Sequence, residues 1–120
     1  MRVLFSSTTG FGHVLPMVPL ARSFLTAGHE VLWATGEEIH PVLEDAGIQV
    51  VACGPTGPAL AELQGAVLRL AAQVPGDQRA AFVFPRMFGE AMTPPMVADL
   101  LPLAGDWRPD LLVHEHAELA

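Results

Sequence analysis

Over residues 1–52, short apolar runs alternate with stretches of helical periodicity, and glycines mark the changeovers. Val3 to Phe5 is an apolar run that ends in Ser6-Ser7-Thr8-Thr9-Gly10, which predicts a buried strand followed by a loop. From Leu15 to Ala27 the apolar residues Leu15, Val18, Leu20, Ala21, Phe24 and Leu25 recur at helical intervals, and Pro16 suits a first turn. This predicts a helix closed by Gly28. His29–Ala34 reads as a second strand, Thr35-Gly36 as a turn, Glu37–Ala46 as a helix ended by Gly47, and Gln49–Ala52 as a third strand. A β-α-β-α-β rhythm with such short links implies parallel strands joined by right-handed crossovers, hence a doubly wound α/β fold.

The middle of the chain is less regular. Cys53–Pro58 is rich in Gly and Pro, Ala59–Ala72 reads as a helix, and Val74-Pro75-Gly76-Asp77 as a broken turn. Helical stretches over Arg79–Ala91 and Pro94–Leu103 bring the chain back to a fourth strand, Leu111–His114. The sequence stops at Ala120, barely a turn past Glu115. One isolated helical turn has almost no stability of its own, so the ending reads as an interruption inside a βα unit. No internal repeat or low-complexity tract marks a boundary, and residues 1–120 are read as one partial domain.

Hydrophobic residues make up 51% of the chain and charged residues 16%, a balance that excludes a disordered tail and predicts a buried core. With a formal charge of −7 and six basic residues scattered singly, the surface lacks the clustered Lys and Arg that nucleic acid requires. Cys53 is the single cysteine, so no internal disulfide or usual zinc framework is available. That fits a reducing cytoplasm. The opening residues have no export-signal pattern, and no apolar run approaches the roughly 20 residues of a membrane span.

In an open parallel sheet, ligands bind beyond the carboxyl ends of the strands, where strand order reverses. In the common 3-2-1-4 order, the loops leaving strands one and four flank that crevice, and they hold His13 and Glu115. An imidazole there can take a proton from a bound hydroxyl while a carboxylate on its other nitrogen fixes the tautomer. The bland alternative for His13 is a helix cap or a backbone hydrogen bond. Gly10 and Gly12 allow a tight turn whose helical amides would face negative charge such as a diphosphate edge, although ordinary strand-to-helix turns favour glycine as well. The stripe of Phe84, Met87 and Phe88 recurs at helical spacing, as core residues do.

Two nucleotide-binding patterns are absent. A dinucleotide fingerprint needs a small residue where Leu15 stands, Pro16 worsens the mismatch, and the second strand ends without an acidic residue directly at the ribose position. No Gly-Lys-Ser/Thr follows the glycines, which excludes a phosphate-binding P-loop.

The segment Gly10-Phe11-Gly12-His13-Val14-Leu15-Pro16-Met17-Val18-Pro19-Leu20-Ala21, followed by Ala27-Gly28-His29-Glu30-Val31, resembles the opening of family-one, GT-B-type glycosyltransferases. Arg108-Pro109-Asp110-Leu111-Leu112-Val113-His114-Glu115 is similar to a later strand of that family and its acidic position, so the resemblance spans the chain. Its flavour is that of actinobacterial natural-product enzymes. The resemblance implies the N-terminal, Rossmann-like acceptor-binding half of a two-domain enzyme, with the nucleotide-sugar half outside this chain. It implies His13 as the base that deprotonates the acceptor and Glu115 as its orienting partner, where many relatives place Asp. It further implies inverting transfer from a nucleotide-diphosphate sugar to a small-molecule hydroxyl, without a required metal or cofactor. Gly10, Phe11 and Gly12 are the substrate-binding candidates, and His114 or His116 could face the cleft in place of Glu115. The irregular middle is where such enzymes are expected to vary their acceptor pockets. This segment by itself is expected to turn over nothing. The rival from another class is a noncatalytic acceptor-binding module with the same fold.

Overall fold

The computed structural model describes all residues 1–120. Its centre is a four-stranded parallel sheet made of β1 (Arg2–Ser6), β2 (Glu30–Thr35), β3 (Gln49–Ala52) and β4 (Leu111–His114), in the order β3-β2-β1-β4. The strand order expected from the βαβ rhythm is therefore the one observed. The helices are α1 (Phe11–Val14), α2 (Val18–Thr26), α3 (His40–Asp45), α4 (Gly57–Ala71), α5 (Arg79–Phe84) and α6 (Thr93–Trp107).

Strand alternation sorts the apolar side chains onto two faces. Val3 and Phe5 of β1 join Val31 and Trp33 of β2 on one face, packed on Val14, Ala21, Ile39, Leu43 and Ile48. Phe5 stacks on Trp33 at a ring separation of 5.0 Å and meets Phe24 of α2 edge-on at 6.1 Å. Leu4 and Ala34 face the other way, against Cys53 and against Met96 and Leu100 of α6. Both faces of β1 are covered, so the strand needs an unbroken apolar run rather than alternating polarity. A third cluster of Leu60, Val67, Met87 and Met92 holds the middle excursion together.

The glycines expected to close the first two crossover helices do so with left-handed backbone, Gly28 at φ 81° and Gly47 at φ 77°. Arg108 ends α6 in the same region at φ 52°, immediately before Pro109, which disfavours continued helix. The foot of the sheet is pinned where the Arg2 amide donates to Asp110 Oδ2 at 2.7 Å and the Asp110 amide donates to the Arg2 carbonyl at 2.8 Å.

Two helical expectations need correction. Helix starts at Phe11 rather than Leu15, with a 3₁₀ turn over Leu15–Met17 leading into α2. Gly12 and His13 thus lie within a helical turn and not in an open loop, because Val14, fully buried, draws this turn onto the sheet. The stretch around Arg79–Ala91 is not one α-helix: Pro85–Met92 is π-helical between α5 and α6. Pro85 has no N–H to continue the α ladder, and Thr93 donates its hydroxyl to the Phe88 carbonyl at 2.7 Å. No helix is long and apolar enough to cross a membrane.

Candidate active site

The register Ser6↔His114 between β1 and β4 sets Glu115 level with the first residue leaving β1. From there Ser7–Gly10 leads into α1, where the amides of His13 and Val14 both donate to the Gly10 carbonyl, at 2.9 and 3.1 Å. With Val14 held in the core, His13 on the same turn is presented to the strand ends. Its Nδ1 lies 3.2 Å from Glu115 Oε2. Residues separated by most of the chain length therefore meet, as the crossover geometry requires.

Glu115 is buried, its side chain only 6% exposed. Burial opposes its ionisation, but the Ala117 amide at 2.7 Å, the His13 ring and the Thr8 hydroxyl at 3.2 Å outweigh it and hold the carboxyl below its ordinary range. An ionised carboxylate only accepts hydrogen bonds, which places a proton on His13 Nδ1, so that in the neutral ring the lone pair is on Nε2. The bland reading of His13 as a helix cap does not describe this contact, since no side chain caps α1.

The neighbouring histidines differ. His114 turns its Nδ1 toward the carbonyls of Glu115 and Glu118, at 3.2 and 3.0 Å. His116 reaches the same carboxylate, Nδ1 to Oε2 3.4 Å, but its side chain is 81% exposed. No group of three or more His, Cys, Asp or Glu residues is arranged to hold a metal ion.

Gly10 adopts ordinary extended backbone, φ −71° and ψ 137°, so left-handed freedom is not its contribution. A Cβ built there would stand 2.8 Å from His13 Cδ2, so the missing side chain makes room for the imidazole. Gly12 is exposed with open space around it, and Phe11 is 60% exposed. The helical turn at these residues spans only Phe11–Val14, too short for the anion-facing terminus expected of a long first helix.

His13 opens onto a cleft of about 370 Å³ whose walls include Thr8, Gln64, Leu68, Met87 and Phe88. A larger depression of about 590 Å³ runs along α2 past Val18, Arg22 and Thr26, but it contains neither member of the dyad. The stripe read as core divides in two. Met87 is buried, while Phe84 is 40% exposed and Phe88 partly so. Phe88 lies 5.6 Å from the His13 ring and 5.0 Å from that of Phe84, and Phe84 stacks on His116 at 6.1 Å.

No protein-family model matches the chain. It is 37% identical over 121 residues to the L-demethylnoviosyl transferase of Streptomyces niveus, an alignment covering 100% of this chain and 30% of the relative. Its fold matches the crystal structure of the glycosyltransferase SnogD from Streptomyces nogalater with a TM-score of 0.66 and 38% identity, over 95% of this chain and 28% of that one. It matches the glycosyltransferase VinC in complex with DTDP with a TM-score of 0.68 and 27% identity, over 98% of this chain and 30% of that one. The chain is thus similar over nearly its whole length to actinobacterial natural-product glycosyltransferases. It spans about 30% of the length of these relatives.

Three contributions to the site escaped the sequence. Thr8 sits in a Ser/Thr run that reads as loop, yet it is buried and donates to Glu115. The Ala117 amide is invisible to any residue-type argument, because its role is positional. The exposure of Phe84 and Phe88 depends on the π-helical turn, which helical periodicity does not report.

Proposed function

We propose that this chain forms the acceptor-binding, N-terminal side of an inverting glycosyltransferase that moves a sugar from a nucleotide-diphosphate donor to a natural-product hydroxyl. The observation that carries this reading is the 3.2 Å contact between His13 Nδ1 and Glu115 Oε2, which leaves Nε2 as the ring nitrogen free to accept a proton on a residue that lines the cleft. The acceptor O–H gives its proton to Nε2 as its oxygen bonds to the anomeric carbon, and the bond from that carbon to the diphosphate oxygen breaks. The nucleoside diphosphate leaves with the electron pair. Glu115 stabilises the imidazolium that forms. Donor recognition falls to residues outside this chain, consistent with the share of the relatives it spans, and the single buried Cys53 suits a reducing cytoplasm.

General-base help is worth roughly 10²–10⁴ in rate. His13→Ala in the native gene product should lower kcat by about that factor while circular dichroism and thermal unfolding stay close to wild type. Undiminished transfer by a folded His13→Ala protein rejects His13 as the base.

A further inference from the structure

Resting on the reading of His13 as the base, we infer that His116 is a positioning residue of the dyad, a second imidazole that shares Glu115 Oε2 with His13 and sets how much of the carboxylate's charge the base receives. Glu115 Oε2 faces three nitrogens, the Ala117 amide at 2.7 Å, His13 Nδ1 at 3.2 Å and His116 Nδ1 at 3.4 Å, whereas Oε1 faces the Thr8 hydroxyl at 3.2 Å. A carboxylate oxygen offers about two lone pairs. The Ala117 amide is fixed by the backbone, so the two imidazoles compete for what remains. A ring lone pair aimed at a carboxylate would repel it, so His116 meets Oε2 as a donor, as His13 does.

The His116 side chain is 81% exposed, yet its ring is held in place. It stacks on Phe84 at 6.1 Å with the planes inclined by 11°, Phe84 packs on Phe88 at 5.0 Å, and Phe88 on His13 at 5.6 Å. His13 in turn lies 6.1 Å from His116, so the four rings close on one another with both imidazoles on one carboxylate oxygen. His13 and Glu115 retain only 28% and 6% of their side-chain surface, which makes His116 the member of the group most open to protons from solvent. Glu115 is the one carboxylate that pairs with it. Glu118 is buried and accepts from the Ala120 amide, His114 turns to the carbonyls of Glu115 and Glu118, and Arg86 lies over the Phe82 ring at 3.9 Å. A proton on His116 therefore strengthens its own hold on Oε2 and puts a positive charge beside the imidazolium that His13 must become. For rings 6.1 Å apart with solvent between them, that repulsion is worth about 3-fold in the proton affinity of His13.

Sugar transfer by the native gene product, measured as kcat against pH, tests this with two variants. His116→Phe keeps a ring on Phe84 and removes the donor, whereas His116→Asn keeps a neutral donor and removes the charge. In His116→Phe the acid limb of kcat should move upward by about half a pH unit, with His116→Asn between it and wild type. A limb that coincides in wild type and His116→Phe overturns the inference, and so does an equal loss at every pH in both variants, which a purely structural role would give. The titration of the His13 ring, followed by NMR without substrates, should move in the same direction, and an unmoved curve overturns the inference as well. That titration involves no transfer, so it is decided separately from the role of His13 as the base, which His13→Ala tests.

Discussion

Glu115→Gln isolates the charge at the centre of the site. The amide is nearly the size of the carboxylate, and its oxygen can accept from Ala117 and His13 while its NH₂ donates to the Thr8 hydroxyl, whose rotor is free to accept. The fold should therefore survive, and the loss is electrostatic. At 3.2 Å a full imidazolium–carboxylate attraction is about 5 kcal/mol for an effective dielectric constant of about 20. His13 retains 28% of its side-chain surface, so solvent screens part of this, and about 2–3 kcal/mol is the expected loss in the transition state. That corresponds to a fall in kcat of roughly 30- to 150-fold. The assay is initial-rate sugar transfer by the native gene product, with acceptor and donor saturating, alongside thermal unfolding. Transfer within about 3-fold of wild type by a folded Glu115→Gln protein refutes the argument that this carboxylate supports the base. Stability supplies an independent readout. Because the folded-state pKa of Glu115 is depressed, its ionised form stabilises the fold above the unfolded carboxylate pKa, and that contribution is lost as pH falls through the lower folded value. Wild type should accordingly lose stability faster than Glu115→Gln on acidification below about pH 4.5.

Gly10→Ala tests the space left for the imidazole. The backbone there tolerates alanine, but the new Cβ at 2.8 Å from His13 Cδ2 must displace the ring, so transfer should fall by about 10-fold with little change in melting temperature. Full activity would show that the ring has room to spare. Cys53 is buried, and burial, followed by the negative charges of Asp99 and Glu118, pushes its thiol up from 9.0 to about 11. At pH 8 its alkylation in the native protein should be about 100-fold slower than that of an ordinary exposed thiol, recovering in denaturant, whereas fast labelling of the native protein contradicts the burial.

The sheet was legible because its signals are local. Val3–Phe5, Val31–Trp33 and Val50–Val51 are apolar runs that only doubly covered strands require, and Gly28 and Gly47 stand where a left-handed residue must end a helix. Those same features implied parallel strands with right-handed crossovers, and with the common 3-2-1-4 order taken for such a sheet His13 and Glu115 were expected to meet; the observed order is β3-β2-β1-β4 and the two are in contact. The helical boundaries were less accessible. The early start at Phe11 follows from Val14 packing on the sheet, and the π-helical turn follows from the missing N–H of Pro85 together with the contacts of Met87 and Met92.

By itself, then, the sequence determined the strand pattern, the parallel α/β topology and the pair of residues that the topology brings together, since each depends on periodicity or backbone handedness. Only the tertiary structure decided how Glu115 is kept ionised, that Gly10 yields space to an imidazole, and that Met87 and Phe88 line the cleft onto which His13 opens. These depend on distances of a few ångströms between segments far apart in the chain, and residue type alone does not specify them.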